Sequence, residues 1–201
     1  MVKSVLCKVG VSRSPWVVGS VVLAGAIAAI SASGLPGIAI AKTRDAGRSI
    51  ASSQTKQATT VEQAILAAHN KYRQEVGVPD LTWSPTLAAH AQAWANHLAS
   101  TGKFEHSTDP HGEGENLAKG TAGSYSATQL VDMWGGEKQN FQPGTFPDVS
   151  TTGNWMDVGH YTQLVWRDTT QVGCGLATGG GSAVLVCRYG PPGNYEGEPV
   201  Y

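Results

Sequence analysis

Apolar residues recur at helical spacing in the middle of the chain. Ile65, Ala68, Tyr72 and Val76 lie three or four residues apart and predict one face of a helix. Thr60, with Gln63 three residues on, has the form of a capping box that would start it. Gly77 and Pro79 end it. The second helix is better marked. Ser84 caps, Pro85 takes the first helical position, and Leu87, Ala91, Trp94 and Leu98 share a face before Gly102. A third helix starts near Ser126, carries Leu130, Met133 and Trp134, and is weakened at Gly135-Gly136. Val158 to Trp166 suits a short fourth.

Toward the end of the chain the composition turns to β-formers. Val172 to Ala177 and Ala183 to Tyr189 predict two strands, with Thr178 to Ser182 as the hairpin loop. Phe104-Glu105-His106 has the character of a third, short strand. Phe141 to Asn154 holds Pro143, Gly144, Pro147 and Gly153 and predicts a long loop. Helices packed on one small antiparallel sheet make an α+β fold.

The first 41 of 201 residues follow a different rule. Lys3, Lys8 and Arg13 precede an uncharged run from Trp16 to Ile30, and Ala39-Ile40-Ala41 fits a small-residue cleavage site. Ser31-Ala32-Ser33 is a second candidate. The reading is a cleaved export signal over 1–41, with an uncleaved anchor as the rival. The strongly apolar run is shorter than the roughly 20 residues of a spanning helix. A polar stretch, 42–59, reads as a flexible linker, and 60–201 as the folded domain. Cys7 leaves with the signal. Cys174 and Cys187 remain as an even pair in an exported body and predict a disulfide, the alternative being two reduced core cysteines.

Removing the three basic residues of the signal leaves a mildly acidic body, with no electrostatic footprint for nucleic acid. Membrane association would come only through an uncleaved signal. Six histidines occur, and none forms H-E-x-x-H. His90 and His97, seven residues apart on the second helix, share a face but are two turns apart, too far to meet on one ion.

Four short segments carry more. They are HNKYR at 69–73, GENL at 114–117, GHYTQLVW at 159–166 and CRYGPPGNY at 187–195. In this order and spacing they resemble the signature segments of the CAP superfamily, which includes plant pathogenesis-related-1 proteins, venom allergens and cysteine-rich secretory proteins. The likeness runs from Val61 to about Tyr195. It implies an α-β-α sandwich, secretion, and a cleft faced by two histidines and two glutamates. The matching positions are His106 in FEHS, Glu115 in GENL, Glu137 three residues after Trp134, and His160 in GHYTQ. Glu137 matches by spacing only, because Gly135-Gly136 replaces the usual bulkier pair.

Two neutral imidazoles suit Zn²⁺ or another divalent transition metal. Glu115 and Glu137 would orient those rings through the second ring N–H. With only two protein ligands, binding would be weak. The implied function is an extracellular binding or defence-type module whose ligand is open. A second reading, carried by some fungal and animal members, is lipid or sterol binding under the Phe141–Asn154 loop, with Phe141, Phe146 and Trp155. A third is a metal-assisted hydrolase, for which Ser107 beside His106 invites a test of geometry.

Overall fold

The computed structural model describes residues 3–7, 44–108 and 111–201, with side chains from Thr60 onward. The apolar run Trp16–Ile30 and both candidate cleavage sites lie outside the described residues. Two compact units result, residues 1–12 with 58–201, and residues 13–57. The described part of the second is the opening of a helix.

That helix, α1 (Arg44–Glu75), starts well ahead of the expected cap. Thr60 and Gln63 are therefore interior positions, and the segment read as a flexible linker is helical from Arg44. Residues 44–59 contain no proline and a single glycine, and their Ala, Gln, Lys and Arg tolerate a helix. The other end is as expected: Gly77 takes φ 71° just past Glu75. Helix α2 (Pro85–Thr101) has Ser84 accepting from the Leu87 N–H and Gly102 in the left-handed conformation. Helix α3 (Ala127–Gly136) has a complete capping box between Ser126 and Gln129. A 3₁₀ turn, Glu137–Asn140, continues it. Helix α4 (Gly159–Val165) is short and wholly buried. No described helix is long and apolar enough to cross a membrane.

Five strands form one sheet: β1 (Lys3–Cys7), β2 (Thr82–Trp83), β3 (Gly114–Thr121), β4 (Gln171–Gly179) and β5 (Ser182–Gly190), in the order β1-β3-β5-β4-β2. All neighbours are antiparallel except β2 and β4. The expected five-residue hairpin loop contracts to Gly180-Gly181, both at positive φ, the conformation a two-residue turn needs. Phe104-Glu105-His106 is not a strand. Sequence reading missed β3, because GENLAKGT has few β-formers; its pairing with β5 along all eight residues decides its state.

The sheet separates two layers. On one face lies α2, whose Ala91, Ala95 and Leu98 pack on Leu117, Val184 and Val186. Contact is close because β4 carries glycine at 173, 175 and 179. A Cβ on Gly175 would sit 2.3 Å from the Gln92 Cα, and one on Gly173 would sit 2.2 Å from the Ala88 N. The opposite face is larger and more aromatic, with Tyr72, Trp134, Leu164, Trp166, Leu185 and Tyr189 from α1, α3, α4 and the sheet. Cys174 and Cys187 face each other across β4 and β5 and are joined in the expected disulfide.

Candidate functional site

The four residues matched from the motifs form two His–Glu pairs. His106 leaves α2 through the irregular segment 102–108, and its Nδ1 lies 2.5 Å from Glu115 Oε1. Glu115 stands on β3 directly opposite Arg188 of β5. The guanidinium reaches Glu115 at 3.0 Å and Glu113 at 3.3 Å. The Ser107 N–H also donates to Glu115. Burial alone would raise the Glu115 carboxyl. The hydrogen bond from His106, the Arg188 charge and the Ser107 N–H outweigh it and hold the group below its ordinary value.

The second pair is built on helix ends. His160 Nδ1 lies 2.6 Å from Glu137 Oε1, while Glu137 Oε2 accepts from the main-chain N–H groups of His160 and Tyr161. Glu137 thus supplies the N-terminal cap that Val158 does not give α4. Its placement depends on the first of the two glycines that weakened the motif match. A Cβ on Gly135 would fall 2.0 Å from the Tyr72 ring, so the small residue lets α3 approach α1 and carry Glu137 to His160.

In both pairs the carboxylate takes Nδ1. A carboxylate on Nδ1 favours the Nδ1–H form of each ring. His106 Nε2 is buried and has no hydrogen-bond partner. That arrangement fits a divalent transition metal with open positions. No three of the four residues offer ligand atoms within 4.8 Å of one another. The only described group that does is His69 with Cys174 and Cys187. Those sulfurs are joined to each other and are not thiolates, so that group does not fit a metal.

The remaining motif residues lock the layers together. His69 binds the Ile65 carbonyl and the Tyr189 hydroxyl, and Asn116 donates to that hydroxyl and to the His160 carbonyl. Burial keeps the His69 imidazole neutral, moving its pKa down to about 4. Asn116 lies in β3 and ties the sheet to α4. Arg73 is fully buried and donates to the carbonyls of Pro79, Leu164, Trp166 and Thr169. Gln163 accepts from the Gly193 N–H, and Asn194 joins Thr162 to the Gly159 carbonyl.

Sequence reading missed Arg188 and Glu113. The available signal was a charge in each of two motifs, GENL and CRY, that could face one another once paired. It also treated His90 and His97 as unrelated to any site. They line one cavity of 460 Å³ with Trp94, Ser107, His111 and Arg188. His90 stacks on His111 and bonds Glu113 through Nδ1. Ser107 Oγ accepts from Arg188 at 2.6 Å. Phe141 packs on Tyr161 and Tyr201, and Phe146 on Trp155 and Trp166.

The chain is similar to known proteins over most of its length. The family described as CAP: Cysteine-rich secretory protein family matches residues 66–189. Pathogenesis-related protein 1A of Nicotiana tabacum is 42% identical over 151 residues, covering 74% of this chain and 86% of that protein. Venom allergen 5 of Vespa magnifica is 37% identical over 165 residues, covering 68% and 69%. Among solved structures, BmVAL-1 superposes with a TM-score of 0.59 at 25% identity, covering 70% of this chain and 81% of that one. The crystal structure of NaASP2 with Zn²⁺ gives 0.57 at 26% identity, covering 69% and 83%. Motif residues that interlock across an α-β-α sandwich, and a family match across most of its length, place this chain in the cysteine-rich secretory protein family, CAP.

Proposed function

We propose that the protein is an exported CAP module that binds a divalent transition metal, Zn²⁺ by preference, through Nε2 of His106 and His160. Residues 1–41 act as the export signal and are removed, and the remaining body works outside the cell as a binding module of the pathogenesis-related type. One observation carries the metal reading. Each histidine has its Nδ1 held by a carboxylate, and the Nε2 of His106 is buried with no partner. The solved relative NaASP2 with Zn²⁺ adds support at 26% identity. Two protein ligands with further positions left open make the binding weak and the metal exchangeable.

The alternatives draw less from the geometry. A serine nucleophile needs a base to take its proton, whereas Ser107 Oγ accepts from a guanidinium. A lipid pocket under the 141–154 loop needs free aromatic surface, whereas Phe146 is buried in the core.

The test is metal titration and metal content of the exported protein beside its His106→Ala/His160→Ala variant. Binding in the first and its loss in the second are expected, with the variant shown by circular dichroism to stay folded without metal. Equal metal in both would remove these histidines from the site. N-terminal sequencing of the exported protein checks the signal, and a start at Lys42 is expected.

A further inference from the structure

In an antiparallel sheet each strand uses about half of its main-chain N–H and C=O groups on each neighbour. Strand β3 pairs with β5 along all eight of its residues, so the other half points outward. Here β1 takes up that edge, with Lys3 opposite Lys119, Ser4 opposite Ala118 and Cys7 opposite Asn116. It also lies against α4, which carries His160, and against the 3₁₀ turn Trp155–Asp157. On the export reading above, on which this inference rests, β1 belongs to the segment that is removed. The mature body is then left with an open β-edge that begins at Glu115 and runs beside the helix of His160.

We propose that the outer edge of β3, Gly114–Thr121, is a seat for an extended peptide segment of another protein, which adds to the sheet as an antiparallel strand beside the two His–Glu pairs. The seat already takes a strand of 5 residues, KSVLC, rich in small and β-favouring side chains. Main-chain hydrogen bonds supply the affinity, so the partner is recognised as an extended, proline-free strand and not by one side chain. An open edge of this kind is a liability in a protein released into a crowded medium, unless it is used. A bound strand would also wall the cleft next to His160 and limit its access to water.

The probe is a capped peptide of residues 3–7 with Cys7→Ser, added to the exported protein and followed by amide hydrogen exchange. Saturable binding should slow exchange in 114–121 by about tenfold. The same peptide with Val5→Pro should do nothing, because proline cannot continue the ladder. The His106→Ala/His160→Ala variant should bind the peptide as well as the parent, which separates this proposal from the metal reading. If N-terminal sequencing finds residues 3–7 retained, the export reading fails, and the seat is assayed in the Ser4→Pro chain. Protection by the peptide there still supports it. Absence of any change in 114–121 at about 1 mM peptide overturns the proposal. So does a dimer whose β3 amides are already protected, since the edge would then be closed by a second copy.

Discussion

The two faces of the sheet are specified by different physics. The α2 face is specified by size. Glycines at 173, 175 and 179 of β4 leave room for helix main chain, and Ala91 and Ala95 complete the contact. The opposite face is specified by hydrogen bonds among fully buried polar groups: His69, Arg73, Asn116, Gln163 and Asn194. A steric seat fails when something is added to it. A polar network fails when something is taken away, because the partner left behind loses both water and its bond. The His–Glu pairs sit where the two regimes meet. Glu115 is held by an ion pair across the strands, and Glu137 is delivered by a glycine contact.

The largest effect expected from this contrast is at Gly175. The neighbours of a Cβ there are the Gln92 Cα and N and the Ala91 C, which are main-chain atoms that cannot swing aside. Gly175→Val should cost about 3 kcal/mol or more in denaturant unfolding. A loss below about 1 kcal/mol would show that α2 can lift off the sheet. Arg73→Met comes next. It keeps much of the bulk and strips the donors from the buried carbonyls of Leu164, Trp166 and Thr169, and about 2–3 kcal/mol should be lost. Arg73→Lys should recover little, because one ammonium cannot span the fork of carbonyls that a guanidinium reaches. Full rescue by lysine would mean that charge, and not geometry, holds α1 to the segment after α4.

The smallest effect at neutral pH, about 1 kcal/mol, is expected for His69→Gln. Its signature is the pH dependence. The folded imidazole titrates at about 4 and the unfolded one near 6.5, so the unfolded chain binds this proton first. The contribution is whole above pH 6.5 and is lost as pH falls from there to about 4. The variant lacks that slope, so its deficit should narrow with acidification. Parallel stability curves for the two proteins would show that His69 is already protonated in the fold. Glu115 acts in the same direction lower on the scale, its contribution disappearing as pH drops below the ordinary carboxylate range.

Much of the fold was legible because its signals are local. Ser84, Pro85 and Gly102 bound α2 by side-chain capping, fixed φ and left-handed freedom, each acting within one turn of chain. The β4–β5 hairpin and its cystine were readable for the same reason. The missed elements depend on distant partners. β3 has weak intrinsic preference and becomes a strand because β5 lies beside it. Gly173 and Gly175 fall inside the predicted strand, yet no local signal shows that they are the floor under α2. In the site, residue types and order located His106, Glu115, Glu137 and His160. Which glutamate serves which histidine, and the presence of Arg188 behind Glu115, required the register of the sheet.

By itself the sequence determined the helix boundaries that carry caps, the hairpin with its disulfide, and the four residues that meet as two His–Glu pairs. These depend on chemistry a few residues wide, or on motifs whose residues must co-occur. The tertiary structure alone decided that GENL is a strand and that Gly135 is a contact and not a flaw. It also decided that His69 stays neutral and that both carboxylates turn to Nδ1. Each of these is set by what lies across a layer, at distances along the chain where a residue's own preferences no longer reach.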